Sequence, residues 1–530
     1  MARLKSIFVG LLIVFLAACE QPVIKRALPF PTPAQHDLVV LTTLGPLTYI
    51  ADDASTNSGL EHDLIEAFAL ELGVGVKYIV VPPAEIEPRL SAGEAHLAAG
   101  WLNPPDDAQQ KSTPPILQSH DTLVQHEATL PINELAELSG RTIHALSGSR
   151  QLANLRLLQK TIPDLHVEEV SESSILDLLE KIGHRKVELV AIDSMLVDIA
   201  AQFVPTLRAT LELGEDTPIV WWLGNKPNIE LVTRVNRFLH NAQRDGTLAR
   251  LEERYFGHVR RLKQVDIIKF LGRTETVLPS LRQYFHMAQA LSGLDWRLIA
   301  AVAYQESQWE AEATSPTNVR GIMMLTEETA DRLGVSNRLD PRESILAGGR
   351  YINLLKDMQN DEVIEPDRTW LALAAYNIGP GHFNAARNLA NQLKADPNAW
   401  YEMKRILPLL AQPKYYQKLK SGRARGGEAV ILVENIRSYY DILVRHEPPY
   451  QPSARKMEEM LRRANAYTNL KPKLRVQQAT TELSLRQEEL ADEIKLPEIK
   501  HTEQPGVPPD SSPALPIDQR LVTSTSKPPM

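Results

Sequence analysis

The chain has 530 residues, too many for one hydrophobic core, so two domains plus extensions are expected. With 43% hydrophobic and 23% charged residues, most of it should be globular. A net charge of −8 leaves no broad basic surplus for a nucleic-acid partner, and a single cysteine, Cys19, excludes an intrachain disulfide.

At the N-terminus Arg3 and Lys5 precede an apolar run, Ile7 to Ala18, which is short for a bilayer span and reads as a targeting segment. It ends in Leu16-Ala-Ala-Cys19, which resembles a bacterial lipobox. Residues 1–18 are then a lipoprotein signal peptide, and Cys19 is the lipidation site that anchors the mature chain to a membrane leaflet. An ordinary secretory signal with a chance cysteine is the alternative. Glu20 stands where aspartate is associated with inner-membrane retention, so the resemblance implies the periplasmic face of the outer membrane. Residues 19–36 are Pro-rich and aperiodic and read as a tether.

From Leu38 the pattern becomes strand, helix, strand. Leu38–Thr42 is β-branched, Gly59–Gly73 is an amphipathic helix closed by glycine, and Val76–Val81 is a strand. Arg89 to Trp101 reads as a helix tip entering a strand. Arg141–Ala145, Val187–Asp193 and Pro218–Leu223 are further strands, and Leu231–Glu253 reads as one long helix. This alternation predicts an α/β unit with a largely parallel sheet.

The order resembles the periplasmic solute-binding proteins of amino-acid importers. The features that carry the likeness are Gly59-x-x-x-Asp63, Gly93-Glu-Ala-His-Leu-Ala-Ala99, Gly148-Ser149, the strand ending in Asp193, and Tyr255-Phe-Gly257. The resemblance implies two lobes over residues 37–262, hinged near Thr122–Val124 and Pro218–Trp222. It also implies ligand contacts at Asp193, to an amino group, and at the Ser147–Ser149 turn, whose Ser149 opens a helix suited to a carboxylate. The family's arginine clamp is missing where the chain reads Asn103-Pro-Pro-Asp106, which argues against a free α-amino acid. The implied ligand is a small peptide, amino acid or muropeptide.

After a basic connector, His258–Lys263, helical patterns dominate. They cover Leu278–Ala290, Trp296–Ser307, Leu325–Gly334, Pro341–Met358, Trp370–Asn377, Tyr401–Leu410 and Glu428–Arg445. Residues 263–450 thus form an α-rich domain. Residues 451–530 are rich in Gln, Glu, Ser, Thr and Pro and read as a disordered tail without chemistry.

Glu306 lies near the end of the Trp296–Ser307 pattern, at the edge of its apolar stripe, with Asp295 as N-cap. A carboxyl there should be desolvated and hold a proton near neutral pH, as a general acid must. The plain alternative is a solvated glutamate or one paired with Arg297. Three separated pieces follow the same theme: Tyr304-Gln-Glu306-Ser307 with Ser315 and Gly321-Ile-Met-Met-Leu-Thr326; Ala374-Ala-Tyr376-Asn377-Ile-Gly379; and Glu434-Asn-Ile-Arg-Ser-Tyr439-Tyr440. Together they resemble the signatures of the lytic murein transglycosylases. That family has a lysozyme-like fold and cleaves the β-1,4 bond between N-acetylmuramic acid and N-acetylglucosamine in peptidoglycan, leaving a 1,6-anhydro end.

The resemblance implies Glu306 as acid and then base, with Ser315, Met323, Tyr376, Asn377 and Glu434 holding substrate or supporting the site. Tyr376 is expected to hydrogen-bond Glu306 or the sugar. Met324 replaces the glutamine usual in the wider family. Glu310, one turn on, reads as solvated, although spacing alone leaves open a two-carboxylate hydrolase. A domain that only grips peptidoglycan is a further alternative. The histidines show no paired metal-ligand spacing, so no metal or cofactor is expected. The whole reads as multidomain: a two-lobed α/β periplasmic-binding-protein-like domain followed by an α-rich lysozyme-like domain.

Overall fold

A computed structural model describes residues 28–456 apart from 52–56, 106–110, 172–173, 225, 317 and 454. The expected signal peptide, Cys19 and almost all of the expected tail lie outside the described residues.

The first half is an α/β unit. Its elements are β1 (Leu38–Thr42), α1 (Leu60–Leu72), β2 (Val76–Val80), α2 (Pro83–Ser91), β3 (Leu97–Leu102), β4 (Lys111–Ser112) and β5 (Leu117–His126). There follow β6 (Thr142–Leu146), α3 (Arg150–Gln159), β7 (His166–Val170), α4 (Ile175–Gly183), β8 (Leu189–Asp193), α5 (Val197–Phe203) and β9 (Leu207–Gly224). The strand order is β2-β1-β3-β9-β5-β8-β6-β7, with β4 on β9. Lobe one is the parallel set β2-β1-β3, with Leu38 opposite Val76 and Val40 opposite Leu97. Lobe two contains the parallel set β7-β6-β8, with Ile143 opposite Val167 and Leu189.

The lobes are joined by β5 and β9, which run antiparallel to their neighbours. β9 pairs with β5 from Leu207 to Ile219 and then changes partner to β3 at Val220 and Trp222. The Pro218–Trp222 crossing therefore lies where expected. The second crossing does not: Thr122–Val124 is held on both sides, by β8 and by β9, deep inside lobe two. The chain crosses upstream, where the Thr113 and Ile116 N–H groups donate to Trp221 O and Ile219 O. The single helix expected over Leu231–Glu253 is two, α6 (Ile229–Arg244) and α7 (Thr247–Phe256), separated at Asp245-Gly246. There Gly246 turns the chain through left-handed backbone (φ 80°), and the Asp245 side chain accepts the Thr247 N–H (2.9 Å) at the start of the new helix.

From Gln264 onward the structure is helical. It comprises α8 (Gln264–Thr276), α9 (Leu278–Ser292), α10 (Trp296–Ser307), α11 (Glu327–Leu333), α12 (Pro341–Asp357), α13 (Asp367–Ile378), α14 (Pro380–Gln392), α15 (Trp400–Ile406), α16 (Pro413–Tyr416) and α17 (Gly426–His446). The centre is α10. Every residue from Trp296 to Tyr304 is buried, so it is a core helix without a wet face. Ala300, Ala301 and Ala303 let its neighbours approach closely, and Phe270, Trp309 and Tyr439 ring Tyr304 with centroids 4.4–4.9 Å away. Asp295 caps it as expected, accepting the Arg297 N–H (2.8 Å).

Helix α17 also faces the first half. Arg445 pairs with Asp177 (2.7 Å) and Glu180 (2.6 Å) of α4, and Ser438 Oγ donates to His258 O (3.0 Å). The α-rich domain thus sits directly on lobe two.

Candidate active site and ligand cleft

Helix α10 stops at Ser307 because Gln308 and Trp309 both adopt left-handed backbone (φ 54° and 63°). That break is held from two sides. Trp309 is buried and its Nε1–H donates back to Ala300 O (2.8 Å). Ser307 Oγ contacts Ala303 O (3.1 Å) and Ile322 O (2.8 Å), which ties the helix end to the loop of Gly321–Leu325. Non-glycine residues in this conformation cost energy, and such sites concentrate where geometry is functional.

Glu306 occupies this last turn. The residue as a whole is half-buried, and its carboxyl is enclosed by protein. Burial pushes its pKa from 4.5 up to about 8. A negative charge at a helix C-terminus is disfavoured as well. Arg297 is not its partner: that guanidinium is spent on Asp295 (2.6 Å) and Glu447 O (3.2 Å). Glu310 is exposed, with Arg273 as a distant partner (3.7 Å), so it is the solvated carboxylate expected. The site therefore holds one proton-bearing acid.

The supporting residues divide. Tyr376, on the last turn of α13, is brought near: Glu306's charge is among the causes, after burial, that raise its pKa far above the usual value. Its hydroxyl donates to Met323 O (2.6 Å), however, and not to Glu306. Tyr376 thus fixes the loop that Ser307 grips from the other side, and its lone pairs stay free to accept. Met323 is fully buried against Gly348, where an added Cβ would meet its Cε at 2.5 Å. Its side chain is core and cannot touch a sugar; its carbonyl does the positioning. Gly321 has φ 80°, and a Cβ there would lie 1.8 Å from Arg338 O, so only glycine closes this loop. Met324 follows at φ 46°, half-buried, in a loop conformation set by its neighbours. Ser315 closes a turn, its Oγ accepting the Val319 N–H (3.2 Å). Asn377 is exposed beside Tyr376.

Glu434 goes elsewhere. It is buried on α17, accepts from Trp400 Nε1 (2.6 Å) and Arg437 Nη1 (2.9 Å), and lies 3.8 Å from Lys404. Burial works to raise its pKa, but Arg437 and Lys404 outweigh it and the net direction is down. Arg437 also donates to Glu253 O (3.2 Å) and Arg254 O (2.6 Å) at the end of α7. Glu434 is therefore an ionised strut between the two halves. The motif around it gives no hint of this, because Trp400 and α7 are far away in sequence.

In the first half a cavity of about 900 Å³ lies between the lobes. Ser149 caps α3, its Oγ accepting the Leu152 N–H (3.2 Å), and both Ser149 and Asp193 line the cavity. Asp193 is not free. Its Oδ1 accepts from Ser119 Oγ (2.6 Å) and Met195 N (2.8 Å), and its Oδ2 from Trp101 Nε1 (2.7 Å) and Arg150 Nη2 (2.6 Å). The arginine missing after Asn103 is supplied from the other lobe by Arg150, which also reaches Asn103 Oδ1 (3.2 Å) and Asp121 Oδ1 (2.6 Å). Sequence reasoning missed it, although its place directly after the Ser149 cap put a long cation at the mouth of a strand-end acid. Trp101, at φ 58°, is held from below by Glu61, which accepts its N–H (2.9 Å); burial pushes the Glu61 carboxyl up to about 8.

The family described as bacterial extracellular solute-binding proteins, family 3, matches residues 38–258, and the Transglycosylase SLT domain matches residues 283–398. Fold and site together define a class: a family 3 solute-binding unit followed by a helical SLT domain. The chain is 42% identical over 456 residues to the Membrane-bound lytic murein transglycosylase F of Methylobacillus flagellatus, which covers 85% of this chain and 96% of that protein. It is likewise 42% identical over 441 residues to the protein of that name from Nitrosospira multiformis, covering 82% and 91%. The chain belongs to the membrane-bound lytic murein transglycosylase F family. Among solved structures, an ancestral arginine-binding protein bound to arginine is similar at a TM-score of 0.38 and 20% identity, covering 42% of this chain and 98% of that one. Among the described residues no helix is long and apolar enough to cross a membrane.

Proposed function

We propose that this lytic transglycosylase cleaves the β-1,4 bond between N-acetylmuramic acid and N-acetylglucosamine with Glu306 as its only acid/base. The observation that supports this reading is a desolvated, proton-holding carboxyl beside which, among the described residues, no second buried carboxylate lies. Glu306 gives its proton to the glycosidic oxygen as the bond from C1 breaks. The C6 hydroxyl of the same muramic residue then attacks C1, and its proton returns to Glu306. Atoms balance without water, and the product is a 1,6-anhydro end. Tyr376 and Met323 hold the loop facing the acid, while Ser315 and Asn377 offer polar contacts to sugar.

The catalytic unit is taken as residues 263–450 and the solute-binding unit as 37–262, the latter receiving a small peptide, amino acid or muropeptide. Lipidation at Cys19 would place the chain on the periplasmic face of the outer membrane. Glu306→Gln tests the chemistry: release of anhydromuropeptides from purified sacculi should stop while the circular dichroism spectrum stays unchanged. Undiminished turnover in a folded variant would overturn the assignment.

A further inference from the structure

One surface of the α-rich domain carries charge of a single sign. Between Glu402 and Glu428 the chain has no acidic residue, although its average of 66 acids in 530 residues would place about three there. Within that stretch Lys414, Lys418, Lys420, Arg423 and Arg425 are all exposed. Elsewhere cations on helix surfaces are interleaved with acids, as in Arg234 with Glu230 and Arg332 with Glu328, one turn apart. Here Lys414, Lys418 and Arg423 make no ion pair among the described residues. Lys414 lies over the Tyr415 ring (5.3 Å), and Arg425 reaches the equally exposed Glu428 at 3.5 Å. Like charges gathered in this way raise a positive potential over the surface that water alone must screen.

The loop that carries them is held in place. The Ala424 N–H donates to Leu410 O (3.2 Å) and closes its base. Gly426 packs against Leu407 so tightly that a Cβ would lie 2.0 Å from the Leu407 carbonyl oxygen. At its far side Ser421 O accepts from His382 Nε2–H (2.8 Å). His382 is in the first turn of α14, and α14 begins where α13, the helix of Tyr376 and Asn377, ends. Tyr376 in turn stands in the field of Glu306. The basic surface is thus continuous with the rim of the proposed catalytic site.

Resting on Glu306 as the acid, we infer that loop 413–425 is a docking surface for the acidic peptides that hang from the glycan strand. The strand's sugars are neutral; its negative charge lies in the carboxylates of the peptides attached to the muramic residues. A strand seated with a muramic C1 at Glu306 brings those peptides to the rim of the site, where three residues of extended chain reach about 10 Å. Several exposed cations on one loop take carboxylates without a fixed register. Affinity for the strand rises without selection of one peptide sequence.

Kinetics of the full-length chain in detergent test this on two substrates: soluble glycan strands that carry their peptides, and the same strands stripped of peptides by an amidase. With Lys414→Ala, Lys418→Ala and Arg423→Ala combined, KM for the peptide-bearing strands should rise roughly three- to thirtyfold with kcat unchanged, the pattern of lost uniform binding. Raising the salt concentration should narrow that difference. On stripped strands the variant and the wild type should share one KM. The charge-preserving set Lys414→Arg, Lys418→Arg and Arg423→Lys should keep the wild-type KM on both. All three side chains are exposed, and an unchanged circular dichroism spectrum checks the fold. Equal KM on peptide-bearing strands, or the same rise on both substrates, would overturn the inference. So would a variant that differs from the wild type only in binding phosphatidylglycerol vesicles, which would assign the loop to a lipid surface. Failure of Glu306 as the acid would show instead as kcat surviving Glu306→Gln, and these KM comparisons would stay readable.

Discussion

Glu306→Gln should stabilise the protein at alkaline pH while destroying its activity. The ordinary glutamate pKa of 4.5 is raised in the fold to about 8. Between those values the unfolded chain has lost a proton that the folded chain keeps. The folded state binds more protons, so stability falls as pH rises, by about 1.4 kcal/mol per pH unit. The stability contribution is complete below pH 4.5 and gone above about 8. Integrated over that window it approaches about 5 kcal/mol as an upper bound. Glu306 as a whole residue is only half-buried, so solvent screening reduces this to roughly 2 kcal/mol. Glutamine never ionises and carries no such loss. The variant and the wild type should therefore melt together at pH 4.5, and the transition of the α-rich domain should lie about 5 °C higher in the variant at pH 8, taking about 2–4 °C per kcal/mol for a domain of that size. Differential scanning calorimetry of both proteins at both pH values reads the difference, and groups common to the two, Glu61 among them, cancel. An unchanged difference between pH 4.5 and pH 8 would refute a desolvated Glu306.

Three other substitutions separate positioning from packing. Tyr376→Phe removes the 2.6 Å bond to Met323 O and leaves that carbonyl unsatisfied, a loss of about 1–3 kcal/mol; turnover on sacculi should fall roughly tenfold with KM little changed. Gly321→Ala forces a Cβ onto Arg338 O and should lower stability by about 2–4 kcal/mol, read as a fall in the denaturant midpoint. Glu434→Gln takes the charge from between Arg437 and Lys404 and should cost about 3 kcal/mol of stability. Sacculus binding should be unaffected, because Glu434 is a strut between the halves; weakened binding with unchanged melting would place it at the sugar after all.

The strand-helix rhythm of the first half was readable because each element carries its own period. Long-range geometry was not. The 18-residue β9 begins in a stretch, Leu207–Gly214, whose mixed side chains show little burial, and only its pairing with β5 makes it a strand. Helices α8 and α14 escaped notice for local reasons: Val265 and Ile268 of α8 face solvent, and Gly379-Pro380-Gly381 reads as a break although the proline starts a helix. At the catalytic site Glu306 was legible because helix period and neighbouring motifs converge on it. The Tyr376 partner was not, since it depends on the path of Gly321–Leu325 through left-handed backbone. Arg150 shows the same limit: residue type and cap position were visible, but that it would consume Asp193 follows only from the closure of β8 beside α3.

In the proposed reaction the sugar's own hydroxyl, and not water, completes what Glu306 begins. Mass spectrometry of the muropeptides released from purified sacculi by the full-length chain tests it most directly. The expected products are lighter by one water than the hydrolysed equivalents, with a 1,6-anhydro end on every muramic terminus newly made. Products carrying that water would contradict it and make the protein a hydrolytic muramidase.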